Sequence, residues 1–153
     1  MSPEFLRARH AKEDFENSEV LVLGHHSNNS TDADEWIELF APLNCPITKC
    51  SRETASLIKY THNSWLATKV AFFHKLFKES RNIKNVNYND LSMTLSRMKN
   101  IGPSHMIVPN EEGGLGYTGH CFPKDIEALT NYINHSILEE VKATNKQLNK
   151  DRV

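Results

Sequence analysis

From Ser51 to Ser80 the chain carries neither glycine nor proline. A stretch of that length without a breaker predicts one long helix, and the remaining elements have to be arranged around it. Glu53 supplies an acid for its first turn, where the positive end of the helix dipole favours one. Between Trp65 and Phe77 the residues Trp65, Leu66, Val70, Phe72, Phe73, Leu76 and Phe77 cover most of the circumference. That is more apolar surface than a helix with one solvent face needs, so the pattern predicts burial from two sides. Lys59 and Asn63 stand at i, i+4 on this otherwise apolar helix and share a face. A cation and an amide so placed can stabilise a developing oxyanion, although a snorkelling Lys beside a solvated Asn is the plainer reading of that pair alone.

Ahead of the helix the pattern is β-α-β. Val20 to Leu23, closed by Gly24, reads as a short strand buried on both faces. The polar stretch His25 to Asp34 reads as a loop into a helix with Trp36, Ile37, Leu39 and Phe40 toward a core, bounded by Pro42 and Pro46. Ile47 to Cys50 reads as a second strand. Ser2-Pro3-Glu4 has the residues of a helix start, which predicts a short helix to about Ala11. The fold class expected is therefore mixed α/β and mostly helical: a β-α-β piece of a Rossmann-type sheet in residues 1–50, then a helical domain.

After the long helix, Asp90 to Met98 is predicted as a short amphipathic helix, with Leu91, Leu95 and Met98 on one face. Residues 99–119 hold too many glycines and prolines for regular structure. Helices are expected from Cys121 to Ile133, with Pro123 in the first turn, and from Ile137 to about Leu148. Cys121 and Asp125 share a face, and a thiol at a helix start beside a glycine-rich loop is placed to act as a nucleophile. The competing reading is a small buried Cys. Gly114-Leu-Gly116-Tyr-Thr-Gly119 matches the dinucleotide pattern G-x-G-x-x-G in letters only, because Val108 to Glu112 is no strand and no βαβ unit follows. His25-His26 with Cys45 and Cys50 fits no zinc spacing, and no metal is assigned.

The 153 residues include 37 charged ones, carry a net charge of −1 and are 39% apolar. Such balance excludes a disordered class and offers no basic surplus for a nucleic-acid or anionic-membrane partner. Three cysteines and an N-terminus without an apolar signal core lead to an expectation of an intracellular, cytoplasmic protein.

Taken in order, Ser-Pro-Glu4-Phe5-Leu6-Arg, Leu-Ile-Lys59-Tyr-Thr-His-Asn63-Ser-Trp-Leu-Ala-Thr-Lys69, Ile-Gly102 and Gly116-Tyr117-Thr-Gly119-His-Cys121-Phe-Pro-Lys124-Asp125 resemble the motifs of the UDP-glucose/GDP-mannose dehydrogenase family. Cys-Phe-Pro-Lys-Asp resembles its UDP-glucose-oxidising branch. The resemblance implies that residues 1–50 correspond to the end of an NAD-binding domain and 51–135 to a central helical domain that builds a homodimer. Residues 136–153 would begin the connection to a third domain. It implies NAD as cofactor, UDP-glucose or a related nucleotide sugar as substrate, and oxidation of a primary alcohol to a carboxylate in two hydride transfers.

By the same resemblance Cys121 carries the acyl group as a thioester, Lys59 and Asn63 stabilise oxyanions, Asp125 holds the water or base position, and Glu4 helps activate water. Phe5, Leu6, Gly116, Tyr117 and Gly119 would touch the sugar nucleotide, and Lys124 the cofactor. The chain departs from the family pattern in four places. Ala8 stands where a second acid is usual, Asn100 where an Arg precedes Ile-Gly, Thr118 where the loop usually has Gly, and His74-Lys75 where Asn-Glu is usual. Two readings stay open: an enzyme part completed by a separate NAD-binding chain, or a non-catalytic dimerising or nucleotide-sugar-binding module.

Overall fold

The computed structural model describes residues 1–7, 9–26 and 34–151. Two compact units divide the chain, Met1–Tyr60 and Thr61–Val153. The first contains α1 (Ala11–Glu16), β1 (Leu21–His25), α2 (Asp34–Phe40), a 3-10 turn at Ala41–Leu43 and β2 (Ile47–Ser51). The helix α3 (Arg52–Ser80) begins in this unit and ends in the second, which also holds α4 (Tyr88–Ser96), α5 (Cys121–Ile133) and α6 (Ser136–Leu148). The protein is thus mixed α/β and mostly helical, as the sequence pattern requires.

In the first unit β1 and β2 pair in parallel, with Leu21 opposite Ile47 and His25 opposite Ser51. Period-two alternation sends Leu21 and Leu23 to one face, where Ile37, Phe40, Cys45 and Ile47 pack on them. The other face is closed as well, since Val22 is buried and a Cβ on Gly24 would lie 2.9 Å from the Cβ of Ala55 and 3.1 Å from the Cα of Arg52. Gly24 therefore lets the first turn of α3 lie directly on β1. Ser51 caps that turn: its Oγ accepts from the Thr54 amide at 3.1 Å.

Two expectations fail in this unit. Residues 2–7 are not helical, and the first helix is Ala11–Glu16. The amide of Gly24 donates to the carbonyl of Met1, and the Met1 amine to the carbonyl of Gly24, so this backbone is committed to the end of β1. Trp36 and Leu39 are exposed, and only Ile37 and Phe40 of α2 reach the core, with Trp36 stacked on Phe40 at 6.0 Å between centroids. The expected loop from His25 to Asp34 lies largely outside the described residues.

In the second unit the core is built from Ala67, Val70, Ala71 and Phe73 of α3, Ile126 and Leu129 of α5, and Leu138, Val141 and Leu148 of α6. The 29-residue α3 is about 43 Å long at 1.5 Å per residue. It is not covered all round, because Trp65 is 61% and Phe72 60% exposed. Asn87 caps α4 through its side chain, and Asn134, with φ of 48°, turns the chain out of α5.

Residues 97–120 contain no helix or strand but are held along their length. The Lys69 ammonium donates to the carbonyl of Ile101 at 2.9 Å, and the Tyr88 hydroxyl to that of Met106 at 3.1 Å. Asn110 organises the tip: its Oδ1 accepts from the amides of Glu112 and Gly114, and its Nδ2 donates to the carbonyl of Gly116. Since a polar side chain satisfies these backbone groups, the loop needs no ladder to be ordered.

Candidate active site

Cys121 is the first residue of α5 and is exposed, which removes the reading of a buried structural thiol. Gly119, at φ of 77°, makes the turn that brings the chain into the helix. Asp125, one turn along, is 1% exposed. Its carboxylate is nonetheless fully engaged: Asn63 Nδ2 donates to Oδ2 at 2.6 Å, and the Lys124 ammonium pairs with Oδ1. A buried carboxylate is tolerated only with such partners.

The Asn63 amide is oriented by what it faces. A carboxylate can only accept, so the NH2 points at Asp125 and Oδ1 is left for His62, whose Nδ1 lies 3.0 Å away. That geometry requires a proton on His62 Nδ1. His62, Asn63, Asp125 and Lys124 thereby form one hydrogen-bonded chain, leaving the second N–H of Asn63 for another acceptor.

The glycine-rich lead-in is pinned by groups that the sequence reading did not single out for this work. A Cβ on Gly116, at φ of 81°, would lie 2.4 Å from Asn145 Oδ1 and 2.5 Å from Asn149 Oδ1, so only glycine fits. Asn145 accepts from the Tyr117 amide at 2.7 Å and donates to the Tyr117 carbonyl at 3.0 Å, as a neighbouring strand would. His74 Nδ1 accepts from the amide of Gly116 at 2.9 Å. Tyr117 is buried, which pushes its hydroxyl up to about 12, and its ring meets Phe122 edge-on at 6.3 Å. Polar residues at otherwise core positions, His74 within Val70 to Phe77 and Asn145 on the buried face of α6, were the available signal.

Lys59, Glu4, Phe5 and Leu6 belong to the first unit. The Lys59 ammonium donates to the backbone carbonyl of Glu4 and stands 5.3 Å from the centroid of the Phe5 ring. Glu4 is exposed, and Phe5 and Leu6 are half-buried. Glu4 therefore meets Lys59 through its main chain, while Asn63, Cys121, Lys124 and Asp125 are brought together in the second unit. Ala8 lies outside the described residues.

The dinucleotide reading of residues 114–119 fails structurally as well as by pattern, since no strand leads into that loop. Gly24, at the end of β1, is filled by α3 and is no phosphate cradle. Among the described residues nothing forms the strand-glycine-helix seat that NAD requires. Nor do they contain a group of three or more His, Cys, Asp or Glu placed to hold a metal, or a helix long and apolar enough to cross a membrane.

A parallel β-α-β unit thus runs into a long helix, and a following helix carries Cys121 and the paired Asp125. The family model "UDP-glucose/GDP-mannose dehydrogenase family, central domain" matches residues 53–149, and the chain belongs to that family. It is 36% identical to the UDP-glucose 6-dehydrogenase of Rickettsia bellii over 154 aligned residues, which cover 95% of this chain and 34% of the relative. A UDP-glucose dehydrogenase from Pyrobaculum islandicum superposes with a TM-score of 0.82 at 26% identity, over 95% of this chain and 33% of that one. The GDP-mannose dehydrogenase of Pseudomonas aeruginosa superposes with a TM-score of 0.56 at 26% identity, covering 96% and 34%. The chain thus spans about a third of the length of the relatives it matches.

Proposed function

We propose that the chain supplies the covalent-catalysis part of an NAD-dependent UDP-glucose 6-dehydrogenase. The carrying observation is the exposed Cys121 at the start of α5, one turn from a buried Asp125 held by Asn63 and Lys124. In this reading the Cys121 thiolate adds to the carbonyl carbon of a C6 aldehyde, and the carbonyl oxygen takes the electron pair. The second Asn63 N–H stabilises that oxyanion, and Lys59 is assigned the same task by the family resemblance. Asp125 fixes Asn63, and its engagement by two donors favours a positioning task over direct water activation. Glu4 is assigned to water in the hydrolysis of the acyl-Cys121 thioester, and Phe5, Leu6, Gly116, Tyr117 and Gly119 to the sugar nucleotide.

Hydride acceptance belongs to NAD, and the described residues do not fit it; Lys124, engaged with Asp125, is assigned at most its edge. Turnover on this reading requires an NAD-binding part, on a longer chain or a separate one. The division into 1–50, 51–135 and 136–153 follows from the same assignment, as does a homodimer through α3, whose Trp65 and Phe72 are exposed. Three unpaired cysteines agree with a cytoplasmic setting.

A second reading is favoured by Asn100, an uncharged residue where the family pattern has Arg. On it the chain binds nucleotide sugar or dimerises without turning over. Calorimetry with UDP-glucose, combined with NADH absorbance with and without a Rossmann-type partner, separates the two. Conversion to the carboxylate with two NADH per sugar, lost in Cys121→Ser, supports the first; sugar-nucleotide binding without NADH under every pairing supports the second.

A further inference from the structure

We propose that His74 is an acid-released latch on the glycine-rich loop: neutral, it clamps two points of residues 107–116 to α3, and protonated, it lets them go. His74 is 1% exposed and uses both ring nitrogens. Nε2 lies 2.9 Å from the carbonyl of Ile107, which can only accept, and Nδ1 lies 2.9 Å from the amide of Gly116, which can only donate. The two partners dictate one state, the neutral ring with its proton on Nε2. A proton added at Nδ1 would face the Gly116 N–H, so the imidazolium cannot keep both bonds.

Among the described residues no charged side chain gives the imidazolium a counter-charge. Burial lowers the affinity of His74 for a proton, the Ile107 bond opposes this in part, and no charged side chain contributes to the shift. On α3 itself Lys75 pairs with Glu79 and Lys78 with Asp151, while Lys69 is bound to Ile101. In the loop Glu111 and Glu112 are exposed, and Tyr117, like Tyr88 of α4, is pushed up to about 12 and stays neutral. On α6 Lys142 pairs with Glu127 and Glu139, and Lys146 and Glu140 are exposed. Of the two imidazoles of the loop, His105 is also lowered by burial and then by Lys69 and His62, and His120 is exposed.

The sign follows from linkage. The released loop binds the proton at the ordinary imidazole value of 6.5 and the latched loop only at a lower one, so the latch holds fully above 6.5 and weakens below it. This inference stands whether or not the chain takes part in sugar oxidation, because its readout is the loop alone.

The test is hydrogen exchange of the Gly116 amide by NMR on the full chain, compared with His74→Asn, whose side-chain oxygen can accept from Gly116 but cannot titrate. The ratio of wild-type to variant opening should rise about tenfold per pH unit below the free imidazole value, until the latched ring itself protonates. A ratio independent of pH would overturn the latch. Imidazole nitrogen shifts of the wild type decide the matter if the variant does not fold: an Nδ1-protonated neutral ring near neutrality, or titration of His74 without any change at Gly116, refutes it.

Discussion

Replacing Asn63 tests the central polar pair most directly. Asn63 Nδ2 donates at 2.6 Å to a carboxylate that is 1% exposed, and the other partner of that carboxylate, Lys124, is 68% exposed in its side chain. Asn63→Ala leaves Oδ2 buried without a donor. A hydrogen bond to a charged group is worth about 1.5–3 kcal/mol, so a loss of about 2–3 kcal/mol is expected. For a unit of this size that is a fall in Tm of roughly 10–20 °C. Asn63→Asp keeps the shape but sets two carboxyls face to face, and at neutral pH it should cost more than Asn63→Ala. Because such a pair shares a proton, the folded variant binds one more tightly than the unfolded chain does. Its deficit relative to wild type should therefore shrink as pH falls toward about 4, where a bridging proton is available. Circular-dichroism melts of the three proteins across pH make the comparison. The reasoning fails if Asn63→Ala costs less than about 0.5 kcal/mol, the level of an unremarkable surface change, or if the Asn63→Asp deficit is the same at both ends of the range.

Gly116→Ala should destabilise the loop by about 2–4 kcal/mol, from an L-residue forced to positive φ and a Cβ driven onto Asn145; urea unfolding checks it, and a change under 1 kcal/mol would contradict the packing. Among the thiols Cys121 should alkylate first, since Cys45 and Cys50 are half-buried and burial raises the Cys50 value; timed mass spectrometry showing equal labelling would count against this. Sedimentation should show a dimer at micromolar concentration that Trp65→Glu or Phe72→Glu dissociates without unfolding, whereas Phe73→Glu, at a 4% exposed position, should unfold the second unit. In the first unit the Arg7 guanidinium, bonded to Asp14, holds that carboxyl down to about 2 from 3.8, so this contribution is present above about 4 and is lost as pH falls through about 2. Arg7→Gln should remove that acid-side dependence from the melting curve.

The elements legible in the sequence were those whose cause is local. An unbroken run made α3, and a short apolar run made β1, which continues through Gly24 to His25. Cys-x-Pro at a glycine boundary made the start of α5. What was not legible depended on partners distant in the chain. Ser2-Pro3-Glu4 has every residue of a helix start, yet the backbone beside it pairs with Gly24, and a tertiary hydrogen bond outweighs a cap of about 1 kcal/mol. Trp36 and Leu39 fit the helical period of Ile37 and Phe40, but a two-stranded sheet is too narrow to cover that whole face.

His74 illustrates the limit most sharply. In the sequence it is a departure, an imidazole where the family pattern has an amide, and departures of that kind read as loss. In the structure the two ring nitrogens, held at opposite edges of a rigid ring, reach both Ile107 and Gly116. An Asn has its polar atoms on a single carbon and is too short to span both partners from that backbone position. The substitution therefore gives the loop a second anchor on α3, and with it a group whose proton affinity burial holds below the ordinary imidazole value. That gain could not be read from α3 alone, because its meaning lies in two backbone groups more than thirty residues further along the chain.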